Sequence, residues 1–145
     1  KMAAIVLLWV FSGVFAGLFE SLHYRYASFK RIFKRASDQY WNPEISWMNK
    51  YRVDIITDNN GLPHSISSIG KPRFLFSLTL LRSLTDGSHL VQALSALCTA
   101  IGWGLSVLYL HQSELVNYDF LLIFLLLIIH YISKGIGFFF SYTLI

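Results

Sequence analysis

Three long apolar runs and one polar middle divide this chain. Residues 2–19 carry no charged side chain, and their eighteen residues make about 27 Å of helix, close to the thickness of a hydrocarbon core. Residues 90–110 are broken only by Gln92 and small hydroxyls. Residues 120–140 are apolar as far as Ile129, after which His130 and Lys134 fall one helical turn apart on one face. The pattern predicts transmembrane helices over about 2–22, 88–110 and 119–141. A signal peptide is the alternative for the first run; its length and the lack of an Ala-x-Ala site favour a span. Past Glu20 the helix is expected to continue to about Ser37, with Arg25, Lys30, Arg31, Lys34 and Arg35 alternating with aromatic and aliphatic residues, as suits an anionic membrane surface.

Residues 36–71 read as a cytoplasmic loop region. Within it, Val53–Thr57 suits a short strand, Asp58–Gly61 a turn and Ser65–Gly70 a loop. Residues 72–84 are apolar and bracketed by Arg73 and Arg82, but thirteen residues are too few to span. They predict an interfacial or re-entrant helix with Pro72 in its first turn. Thr85 or Asp86 then caps the next helix.

The expected fold is therefore an all-α integral membrane protein: one membrane domain over 1–145, with three transmembrane helices, one interfacial or re-entrant helix and the loop region. Composition agrees. Hydrophobic residues make up 54% and charged residues 14%, against about 25% charged in soluble domains, and the mean hydropathy is +0.50. The single cysteine, Cys98, excludes an internal disulfide and a cysteine zinc knuckle. Ten of the twelve Lys and Arg residues lie between Arg25 and Arg82, while 111–119 has none. The positive-inside rule puts the basic region and the C-terminus in the cytoplasm and the N-terminus outside. This accounts for the net charge of +4 without nucleic acid. The partners expected are the lipid bilayer and either further copies of the chain or other membrane subunits, because three helices bury little by themselves.

The chemistry lies in the ionisable residues near the spans, which in membranes usually face the protein interior and are functional by default. Glu20 and His23 close the first span, and Asp86 and His89 open the second. Acid-x-x-His puts both side chains on one helix face. The topology places His130 and Lys134 in the inner half of the third span, so residues from three helices are expected to meet at similar depth. Glu20, His23, Asp86, His89 and His130 would offer three imidazoles and two carboxylates, a candidate ligand set for a divalent metal, zinc or iron. Trp41, Asn42, Trp47 and Asn49 would wall the site, and Arg82 or Lys134 would hold an anionic headgroup. Three readings stay open: a structural polar cluster, a metal site, and a metal-free acid–base site with His89 or His23 as base.

The blocks Phe19-Glu20-x-x-His23-Tyr24, Trp41-Asn42-Pro43-x-x-Ser46-Trp47-x-Asn49-Lys50-Tyr51 and Thr85-Asp86-Gly87-x-His89-Leu90, with Gly137-Phe138, resemble a group of small, uncharacterised bacterial integral membrane proteins. The resemblance covers most of the chain, and the Trp-Asn-Pro block is its most specific part. It implies a bacterial inner membrane and the same choice of residues, and it names no reaction. Two functions are expected. One is a small multi-span membrane protein with a polar, metal-binding or acid–base site at the cytoplasmic membrane edge. The other is a non-catalytic subunit of a larger membrane complex, with Gly13, Gly17 and the small residues of the second span as its interface. The sequence does not decide whether the protein is an enzyme.

Overall fold

The computed structural model describes residues 2–57, 63–75, 77–78, 82–112 and 120–145. Helix α1 (Met2–Tyr24) is followed by α2 (Tyr26–Ile32), α3 (Asp38–Trp41) and α4 (Pro43–Ser46). A 3-10 turn at Trp47–Lys50 then leads into an antiparallel hairpin of β1 (Tyr51–Thr57) and β2 (Pro63–Pro72). A second 3-10 turn, Arg82–Leu84, precedes the long helices α5 (Gly87–Gln112) and α6 (Phe120–Leu144). The structure is mostly helical, and three of its helices, α1, α5 and α6, are long and apolar enough to cross a membrane.

Helix α1 is the hub on which α5 and α6 both pack. Against α5 it runs antiparallel. The Trp9 ring lies on Gly102, the Ser12 hydroxyl stands 2.7 Å from that of Thr99, the Ser95 hydroxyl donates to the Ser12 carbonyl at 2.9 Å, and Leu22 clusters with Val91. Against α6 it runs parallel at backbone distance. A Cβ on Gly13 would stand 1.9 Å from the Lys134 carbonyl oxygen, one on Gly17 2.0 Å from the Ser141 hydroxyl, and one on Gly137 2.0 Å from the Val10 carbonyl oxygen. Small residues permit this approach of one helix backbone to another. The expected Gly13/Gly17 contact thus exists, but α6 of the same chain fills it, and it is not left for another subunit.

These directions bring the basic segment, the start of α5 and the end of α6 to one end of the bundle. The helix does not continue unbroken to Ser37. It breaks at Arg25, whose guanidinium donates to the Tyr142 carbonyl at 2.6 Å and lies over the Tyr142 ring. A cation on the last carbonyls of α6 satisfies groups that a helix C-terminus leaves unpaired.

Two other expectations fail in the polar middle. Ser65–Gly70 is strand, not loop. Thr57 pairs with Pro63 and Val53 with Ser67, because the β-branched run 53–57 finds a partner in the alternating Ser/Ile run. The expected helix over 72–84 does not form among the described residues. Pro72 ends β2, 73–75 and 77–78 are bend and turn, and Arg82–Leu84 is the 3-10 turn. The Ser77 hydroxyl accepts from the Arg73 amide and donates to the Lys50 carbonyl, tying this stretch to the foot of the hairpin. Residues 76 and 79–81, and the expected turn at 58–61 apart from its first neighbour Thr57, lie outside the described residues.

Candidate functional site

The site is assembled at the first turn of α5. Asp86 stands just before the helix, where three backbone N–H groups have no intrahelical acceptor. One carboxylate oxygen takes the His89 amide at 2.8 Å and the Ser88 hydroxyl at 2.7 Å. Of the two expected cap residues, Thr85 and Asp86, it is therefore Asp86 that caps the helix. The same carboxylate also holds the His89 ring, with Nδ1 2.7 Å from both oxygens. Burial pushes the Asp86 carboxyl up. The hydrogen bonds from the His89 amide, the Ser88 hydroxyl and the His89 ring outweigh that effect and hold it below the usual carboxylate range. An ionised Asp86 requires a proton on Nδ1, which leaves the neutral ring's lone pair on Nε2. Asp86 is 1% exposed and His89 23%, so the carboxylate is sealed while the ring reaches a surface.

The segment above is held by a local staple. The Tyr26 hydroxyl donates to Asp38 at 2.6 Å, the Lys30 ammonium meets the same oxygen at 2.8 Å, and Lys30 also donates to the Ala36 carbonyl. Burial, then the bond to Asp38 and its charge, push the Tyr26 phenol up to about 12; Lys30 and Tyr26 hold the Asp38 carboxyl below its usual range. The staple closes the turn after α2 and returns α3 to the bundle. There the Trp41 ring lies against Gly87, where an added Cβ would stand 2.2 Å away. Tyr40 sits close enough to Asp86 that burial and the carboxylate both raise its phenol. Asn49 donates to the Thr85 carbonyl at 3.0 Å and takes the Gln39 amide at 2.6 Å.

Of the expected wall, Trp41 and Asn49 reach the site. Asn42 instead caps α4 by accepting from the Glu44 amide, and Trp47 faces outward with its N–H on the Glu44 carbonyl. Arg82 starts the 3-10 turn, its own carbonyl accepts from the Thr85 hydroxyl at 2.7 Å, and its Nε is buried with no hydrogen-bond partner among the described residues. Tyr40, Ser88 and Gly87 are site residues that sequence reasoning did not single out. Gly87 carried a usable signal, since a glycine directly after a helix cap marks a place where something lies close.

The five proposed metal ligands are not brought together. His23 is exposed, with Nδ1 on its own helix at the Phe19 carbonyl. His130 lies between Trp9 and Trp103, with ring centroids at 5.1 and 5.4 Å. Trp9 precedes Glu20 by eleven residues, about 16 Å along α1. The glycine contacts between α1 and α6 set this register, so His130 stands beside Trp9 and not beside the Asp86–His89 pair. Glu20 and Lys134 turn to a cleft of their own. Among the described residues no group of three or more His, Cys, Asp and Glu side chains could hold a metal ion. The donor set therefore does not fit the expected zinc or iron.

Beside the dyad runs an apolar groove of about 390 Å³, lined by Leu18 and Leu22 of α1, Phe29 of α2, Trp41, and Leu90 and Val91 of α5, with Arg35 among its polar boundaries. Such a volume is within the ~300–1,000 Å³ of small-molecule sites. Trp41 belongs to both groove and site. No family model, curated protein or solved structure matches the chain.

Proposed function

We propose that this is a membrane protein whose Asp86–His89 dyad performs acid–base chemistry on an amphiphile at the cytoplasmic membrane edge. The observation that carries the reading is the buried Asp86 carboxylate, 2.7 Å from Nδ1 of a partly exposed His89 through both oxygens. A carboxylate in that place fixes the tautomer and stabilises the imidazolium that forms when Nε2 accepts a proton. His89 would take the proton of a water or substrate hydroxyl attacking an ester, and return it to the leaving oxygen. The apolar groove would take the acyl chain, and Arg35 and Arg82 an anionic headgroup. The cytoplasmic side follows from the basic residues of this end by the positive-inside rule.

The test is incubation of the purified protein in nanodiscs of mixed phospholipids and glycolipids, with lipid composition followed by mass spectrometry. Wild type should release acyl chains or headgroups. His89→Gln should abolish release, and Asp86→Asn should lower it by up to about 10⁴-fold through the wrong tautomer. Lipid profiles that are the same for wild type and His89→Gln would reject the reading.

The second reading is a non-catalytic subunit of a membrane assembly. What favours it is that the Asp86 carboxylate also caps α5, taking the His89 amide and the Ser88 hydroxyl of its first turn. Its interface cannot be Gly13 and Gly17, which α6 covers; the outward apolar faces of α5 and α6 remain. Co-purification of a second chain in fixed ratio, with no change in lipid, would support this reading over the first.

A further inference from the structure

Below the Trp9–Trp103–His130 ring cluster, a second cavity of about 510 Å³ opens between α1, α5 and α6. It shares no lining residue with the apolar groove. Glu20 of α1, Lys134 of α6 and Gln92, Ser95 and Thr99 of α5 line it. Ser95 and Thr99 are satisfied by Ser12 and by their own helix. Glu20 and Lys134 make no ion pair or hydrogen bond through their side chains with any described residue. An acid and a base that are unpaired among the described residues, in one cleft between helices long and apolar enough to cross a membrane, can take a charged partner from outside the bundle.

Their separation is built into the helix packing. The Lys134 carbonyl abuts Gly13, and Glu20 follows Gly13 by seven residues, about 10 Å along the axis. The contacts at Gly13, Gly17 and Gly137 block the slide that would bring the two charges together. A single ion or water would fill little of the cavity. A group that carries both charges would meet both side chains and fill more of it.

We propose that this cleft binds a zwitterionic amphiphile, with its ammonium at Glu20, its phosphate at Lys134 and Gln92 offering an amide to the linking oxygens. A membrane lipid is favoured over a free zwitterion because the cleft opens past exposed Ala96 and Ala100, between helices whose outer faces are apolar. The proposal is independent of the acid–base reading.

The test uses the full chain in nanodiscs of equal phosphatidylethanolamine and phosphatidylglycerol, with retained lipid counted by native mass spectrometry after transfer to detergent. Wild type should retain phosphatidylethanolamine in preference to phosphatidylglycerol. Glu20→Gln and Lys134→Gln should each cut that preference about tenfold, as expected for losing a hydrogen bond to a charged group. Glu20→Lys should reverse it towards the anionic lipid. Glu44→Gln, outside the spans, alters charge equally and should change nothing. The preference is a ratio within one sample, so a partly unfolded variant still reports through its folded fraction. Should one amide variant fail to fold, the other decides. Soluble phosphoethanolamine displacing nothing while lipid stays bound identifies the amphiphile; its binding with no lipid retained overturns the lipid as ligand. Equal retention of both lipids by wild type, or a second copy of the chain in place of lipid, overturns the proposal altogether.

Discussion

Asp86 holds two jobs on one carboxylate, and substitutions separate them. Asp86→Ser keeps a capping oxygen, so its loss of stability should be small, while Asp86→Ala should cost about 0.5–2 kcal/mol, the usual loss of a cap. Both remove the acceptor that fixes the His89 ring. Thermal unfolding therefore distinguishes Ser from Ala at this position, and a lipid-turnover assay should not. The pH dependence has a definite sign. The folded Asp86 carboxyl lies below its ordinary value, so its stabilisation is present above the unfolded pKa and is lost as pH falls through the folded one. Acid should release the cap and the His89 ring together, whereas Asp86→Asn should flatten that part of the acid limb of a Tm–pH curve. Tyr26 offers a second readout. Its phenol is pushed to about 12, and in Asp38→Asn an ultraviolet titration should find it lower, yet still above 10 because burial remains. The acid-x-x-His spacing made Asp86 and His89 legible in the sequence. Tyr40 was not legible, because its nearness to Asp86 depends on the staple that turns α3 back.

At the scale of elements, glycine decides where the helices touch. Gly13→Ala would drive a Cβ into the backbone of α6, which cannot move aside like a side-chain tip. Overpacking costs about 1–3 kcal/mol or more, and the variant should lose thermal stability. Gly104 and Gly135 face open space, so Gly104→Ala and Gly135→Ala should leave stability unchanged or raise it by up to about 1 kcal/mol through better helix propensity. Gly87→Ala lies between these limits, because the Trp41 ring that it meets can tilt; it should loosen α3 more than the bundle. The Gly-x-x-x-Gly spacing announced a close contact but not its partner. The hairpin and the 72–84 stretch show the converse. Short apolar runs read equally as strand or helix, and the pairing with β1 decided in favour of strand at Pro72.

Across the whole molecule, the three long apolar helices alternate in direction and gather the basic segment, the dyad and the end of α6 at one pole. A cysteine at Glu44 or Lys71, in a chain whose Cys98 is replaced by Ala, should react with a membrane-impermeant maleimide only from the side that the positive-inside rule calls cytoplasmic. Labelling from the opposite side would invert the topology and move both proposed sites to the other face of the membrane.

The sequence by itself determined the three helices long and apolar enough to cross a membrane, within a few residues, and a helix cap at Thr85 or Asp86. Length of apolar run, charge placement and one-turn spacing are local properties, and local properties are written in order along the chain. Tertiary structure decided which of the ionisable residues meet. The axial register of α1 on α6, set by Gly13, Gly17 and Gly137 at backbone distance, sent His130 to the tryptophans and Lys134 to the cleft it shares with Glu20. That left the Asp86–His89 pair alone under Trp41. Register between helices depends on which faces fit at close range, and no spacing within a single helix carries it.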